Sequence, residues 1–182
     1  MVLASAAGDA LGAPHEFASR ISATTPLTMS GGGPFGFGPG EWTDDTQMAL
    51  ALLVPLAAGD TSIAAVEDGF LSWHAAGPRD VGSQTRAVLT VGAPLTAAAA
   101  QYLKYQPGSA GNGGLMRVGP AALSFPHDPR RIRDYAAAST AITHADADCI
   151  DDSVLWALAI DRAIYSAPDA SDALIDLSRR RS

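Results

Sequence analysis

A single cysteine, Cys149, stands among 182 residues, which excludes a disulfide framework and a thiolate zinc cluster. Aromatic residues are scarce at 7%, and no stretch alternates apolar and polar residues over a useful length. Abundant alanine instead favours closely packed helices over a β-sandwich. Basic residues are outnumbered, 12 Lys and Arg against 19 Asp and Glu, for a formal net charge of −7. That deficit argues against a nucleic-acid duplex as partner, because phosphate-backbone binding leaves a basic footprint. No convincing apolar run reaches the roughly 18 residues of a membrane span. Residues 1–8 lack the basic start of a signal peptide. A cytoplasmic protein without a membrane partner is expected.

What is present points to one globular domain over residues 1–182. Hydrophobic residues make up 47% of the chain, enough for a sizeable core. The charge is unevenly spread. Residues 1–78 carry eight carboxylates against one base, Arg20, which reads either as a solvated surface or as the field around a cation site. Helical patterning is expected over 2–12, 43–58, 62–75, 80–91, 95–105, 132–142 and 148–165, and the tail over 171–182 could form one more. Two glycine-rich loops, 23–40 and 106–120, interrupt the helices. The expected class is all-α.

Three stretches carry candidate chemistry. In Trp42-Thr43-Asp44-Asp45-Thr46, two adjacent aspartates precede an apolar run. Thr43 or Asp44 suits an N-cap, and Asp44 with Gln47 fits a capping box. The alternative is that Thr43, Asp44 and Asp45 offer hard oxygen ligands of the kind Mg²⁺ or Mn²⁺ prefers. In Ser109-Ala110-Gly111-Asn112-Gly113-Gly114, closely spaced glycines form either a tight turn or a nest for phosphate. Thr143-His144 ends in a histidine that serves as a polar helix-end residue or as a ligand contact.

Gly8-Asp9-Ala10-Leu11-Gly12 with Glu16, then Trp42–Thr46, then Gly111-Asn112-Gly113-Gly114-Leu115-Met116-Arg117 with Pro120, then Thr143-His144, follow one another in the order and approximate spacing of the ADP-ribosylglycohydrolase family. The chain resembles that family over about residues 3–165. The resemblance implies a compact orthogonal multi-helix domain with two Mg²⁺ or Mn²⁺ ions in a cleft, hydrolysing the bond between ADP-ribose and a protein side chain or small molecule. It implies Thr43, Asp44 and Asp45 as metal ligands, and Glu16, Asp44 and Asp45 as catalytic acids. Ser109, Gly111, Asn112, Gly113 and His144 would bind the ADP-ribosyl group. The family's second acidic motif, Asp-x-Asp-Thr on a C-terminal helix, has no counterpart. Asp146-Ala147-Asp148 has the spacing, but these acids suit the first turn of a helix better. The expectation is therefore a member lacking the C-terminal helices, with the alternative of a non-catalytic ADP-ribose-binding domain with an incomplete metal site.

Overall fold

A computed structural model of the chain describes residues 1–165, and the helix expected over 171–182 lies outside them. Among the described residues the architecture is all-helical. The helices are α1 (Val2–Gly12), α2 (Asp44–Ala57), α3 (Ile63–Ala75), α4 (Ser83–Val91), α5 (Leu95–Tyr105), α6 (Gly119–Ser124), α7 (Pro129–Ala141) and α8 (Ala147–Tyr165). Short 3₁₀ turns follow α1 at Ala13–His15 and precede α6 at Leu115–Arg117. The sole β-type feature among the described residues is an isolated antiparallel bridge between Gly32 and Phe37 inside the first glycine loop.

The core follows from helical spacing. Met48 and Leu52 of α2, Val66 and Phe70 of α3, and Ile132 and Ala136 of α7 each sit four apart and are fully buried. Sequestering side chains of the Leu, Met or Phe size stabilises by about 1.5–3 kcal/mol each. Helices α7 and α8 pack extensively along stripes of small residues: Ala136, Ser139 and Thr140 on one, Cys149, Ser153 and Ala157 on the other. Of the face that apolar spacing suggests on α8, namely Ile150, Val154, Ala157, Leu158 and Ile164, Ala157 is fully buried, in a row with Ser153 and the buried Cys149. Val154 and Leu158 pack at its margin, and Ile164 is exposed. Asp146 opens α8 as the acid pattern predicts, its carboxylate accepting from Asp148 N at 3.0 Å.

Three boundaries differ from the sequence reading. Helix α7 starts at Pro129 rather than at 132, because Asp128 caps it and proline is tolerated in the first turn. Helix α6 lies at the end of what reads as a loop over 106–120, because Pro120 occupies its first turn, where proline needs no hydrogen-bond partner. Helix α4 begins at Ser83 rather than Asp80, which leaves Asp80 on the preceding connection. That shift matters for the site.

Candidate active site

The site is built on the first turn of α2. Thr43 is its N-cap, the hydroxyl accepting from Asp45 N at 3.3 Å. The capping box with Gln47 does not form; the Gln47 side chain instead accepts from Trp73 Nε1 at 2.7 Å. Three further donors at this end of the helix are taken by Asp9 of α1. Its carboxylate accepts from Thr43 N and Thr46 N at 3.1 Å, and from the Thr46 hydroxyl at 2.6 Å. A residue from another helix thus closes the N-terminus of α2 and orients Asp44 and Asp45.

Those two aspartates face different spaces. Asp45 and Thr43 line a cavity of about 510 Å³ together with Asp9 and Glu16. Asp44 lines a smaller one of about 140 Å³ with Gln84, Thr85, Gly111, Asn112, Gly113 and His144. Met116 borders both. The two carboxylates thus line adjoining spaces while remaining close enough for the Asp45 charge to act on Asp44.

The electrostatics are those of acids held together without enough compensation. Burial, then the charges of Asp80, Asp45 and Glu16, push the Asp44 carboxyl up to about 7, against an opposing hydrogen bond from the Gly82 backbone. Burial, then Asp9 and Asp80, push Asp45 up to about 6. Glu16 is raised by burial and by Asp80, with which it shares a side-chain hydrogen bond; Asp80 is also raised by burial, but that same bond opposes the rise. Both carboxyls are thus held above the ordinary range, burial being the first cause for each. Asp80, which sequence reading assigns to a helix, is a site residue by this geometry, as is Asp9; the signal for Asp9 was its place in the Gly8–Gly12 motif.

The donor chemistry suits a hard divalent cation: carboxylate oxygens with unrelieved negative charge. The acids are close enough to repel, yet among the described residues no three acidic, histidine or cysteine side chains converge on a point that would enclose a metal. Thr43 is also partly committed, its oxygen accepting from the α2 backbone. The fit is of a partial shell, in which Asp44 and Asp45 supply two carboxylates and water or ligand oxygens complete the rest.

The second glycine loop wraps the ring of His144. A Cβ on Gly113 would lie 2.5 Å from His144 Cε1, and one on Gly111 3.3 Å from Nε2. None of Gly111, Gly113 and Gly114 has positive φ, so glycine is required here by close approach rather than by backbone conformation. Cys149 Sγ donates to the Gly111 carbonyl at 3.3 Å and ties the loop to α8. Of the residues proposed to bind ligand, Gly111, Asn112, Gly113 and His144 share the smaller cavity. Ser109 is not among its lining residues, and its buried hydroxyl has no hydrogen-bond partner among the described residues.

An all-helical domain with an acidic cleft beside a glycine-lined cavity matches a defined class. The ADP-ribosylglycohydrolase family model matches residues 1–181, and the chain belongs to that family. It is 36% identical over 161 residues to the ADP-ribosyl-[dinitrogen reductase] glycohydrolase of Rhodospirillum rubrum, covering 80% of this chain and 51% of that protein. It is 30% identical over 174 residues to the ADP-ribosylarginine hydrolase Tri1 of Pseudomonas putida (strain GB-1), covering 91% of this chain and 46% of that one. A solved structure titled ADP-ribosylglycohydrolase-related protein complex superposes with a TM-score of 0.77 at 30% identity, over 98% of this chain and 59% of that chain. The chain spans about half the length of the curated relatives it matches. Among the described residues no helix is long and apolar enough to cross a membrane.

Proposed function

We propose that this chain carries site residues of an ADP-ribosyl hydrolase, in which Asp44 and Asp45 hold a divalent cation and the glycine-lined cavity holds part of the ADP-ribosyl group. The observation that supports this reading most is the division of the two adjacent aspartates between the cleft and the cavity. A single ligand spanning both spaces brings its polar groups to Asp44 and Asp45 at once. Mg²⁺ or Mn²⁺ bound there supplies Lewis acidity and neutralises the carboxylates; in the complete site that the family resemblance implies, there are two ions. The chain's own acids have a second task. Departure of the leaving group builds positive charge on the ribose, which nearby carboxylates stabilise. Glu16, whose carboxyl burial and the neighbouring Asp80 charge hold above the ordinary range, is the group suited to exchange a proton with the reacting bond.

Arginine-linked ADP-ribose on a protein is the first substrate to test, because two of the relatives are named for that linkage. Release of ADP-ribose from an arginine-modified protein is assayed with and without Mg²⁺, beside calorimetric titration with free ADP-ribose. Metal-dependent release supports the hydrolase. Binding of ADP-ribose without release supports the alternative, a non-catalytic binding domain with an incomplete metal site. Absence of both refutes the assignment. With two carboxylates on offer, the 182-residue chain is expected to bind at most one divalent ion, weakly, and to turn over slowly.

A further inference from the structure

Arg117, Thr143 and His144 form a buried polar chain that the chemistry above leaves unused. Arg117 is 1% exposed, Thr143 0% and His144 2%. The Arg117 guanidinium lies 4.3 Å from the centroid of the Phe70 ring. Its Nη2 donates to the Ser139 carbonyl at 3.3 Å and to Thr143 Oγ1 at 2.6 Å. On its other side Thr143 Oγ1 is 2.8 Å from His144 Nδ1. Gln84 Nε2 fixes the same segment by donating to the Thr143 carbonyl at 3.2 Å. His144 Nε2 faces the glycine loop and the smaller cavity.

Counting donors decides the direction of this chain. A guanidinium only donates, so the Thr143 oxygen accepts from Arg117. The hydroxyl has one proton to give, and among the described residues its other partner is His144 Nδ1. Were Nδ1 the donor, the hydroxyl proton would be buried without an acceptor, at the full desolvation cost of the group. Thr143 therefore donates to Nδ1, and a neutral ring then carries its proton on Nε2. Neutrality has its own support: burial and the Arg117 charge push the imidazole down to about 3.

We infer that Arg117 and Thr143 are positioning residues that lock His144 as a neutral, Nε2-protonated donor aimed into the glycine-lined cavity. The group that His144 meets is then an oxygen acceptor, a phosphate oxygen or a ribose hydroxyl oxygen. This identification of the bound group rests on the nucleotide reading above, whereas the lock itself does not.

The test is the tautomer. Long-range ¹H–¹⁵N correlation of the ¹⁵N-labelled full chain at neutral pH separates Nε2–H from Nδ1–H histidines, and His144→Asn assigns the resonance among the four histidines. The ligand-free protein is expected to show His144 as Nε2–H. Thr143→Ser retains the hydroxyl and should keep that signature, whereas Thr143→Val should lose it. ADP-ribose affinity is expected to fall about tenfold in Thr143→Val, the worth of one well-placed hydrogen bond, and to stay near wild type in Thr143→Ser. An Nδ1–H signature in the wild type overturns the lock, as does an unchanged tautomer in a folded Thr143→Val protein. If Thr143→Val does not fold, the wild-type and Thr143→Ser spectra still decide. An Nε2–H signature in a wild type that binds no ADP-ribose supports the lock and refutes the nucleotide reading.

Discussion

Asp9 joins two helices through one carboxylate, three donors of α2 converging on it. Charge-assisted hydrogen bonds of this kind exceed ordinary ones, and removing a cap costs about 0.5–2 kcal/mol. Asp9→Ala is expected to destabilise by about 1–3 kcal/mol in urea unfolding, and to weaken any metal response, since Asp44 and Asp45 lose their orientation. The aspartates themselves predict a pH dependence. Their carboxyls are raised in the folded state, to about 7 and about 6, so the folded protein binds protons more tightly than the unfolded chain. The associated stability is fully present below the ordinary carboxylate range and is lost as pH rises through about 6 to 7. In the presence of a chelator, the melting temperature should therefore fall between pH 5 and pH 8. Asp44→Asn should flatten that decline; an unchanged slope would show that the acids are relieved by something else.

At the level of elements, the two glycine loops do different work. The 106–114 loop is packed against side chains, so adding a methyl group probes it directly. A Cβ on Gly114 would clash with the Thr140 methyl and come 3.0 Å from Ser153 Oγ, both on well-packed helices; Gly114→Ala should cost about 1–3 kcal/mol. Gly113→Ala meets the His144 ring instead, and should weaken ADP-ribose binding by more than its effect on melting temperature explains. The 31–41 loop is held from outside by Arg79, which pairs with Glu41, donates to the Gly36 carbonyl at 2.8 Å and sits over the Phe37 ring. Because that ion pair is solvent-exposed it adds little stability. Arg79→Ala is expected to leave the melting temperature almost unchanged while speeding proteolytic cleavage within 31–41. Most helices were legible from apolar spacing and breakers, down to the end of α1 before Pro14. The place of Asp44 and Asp45 at the start of α2 was legible from the apolar run that follows them. The role of Asp9 was not, because a cap supplied from 34 residues away leaves no local pattern. Asp80 was hidden because an acid just ahead of a helix is indistinguishable in sequence from its first turn.

Across the whole molecule, the acidic field is concentrated where the N-terminal helices meet. Burial and the charges of neighbouring acids raise the carboxyls of Glu16, Asp44, Asp45 and Asp80. A ligand that binds only the folded state stabilises it with the logarithm of its concentration over Kd. Thermal stability is accordingly expected to rise with Mg²⁺ or Mn²⁺ at pH 8, and Asp45→Asn to abolish that rise while remaining folded. Equal responses of wild type and variant would reduce the two aspartates to helix-terminal residues. The contact between Asp9 and the start of α2 has one more consequence. It spans the segment from 17 to 42 like a clasp across the neck of a bag, so that segment can lengthen, shorten or change composition without shifting the acids on either side. Selection is thereby free to remodel the rim of the cleft while the acids behind it stay in register. Related proteins with different targets should differ most in the length of this stretch and least in the two residues that fasten it.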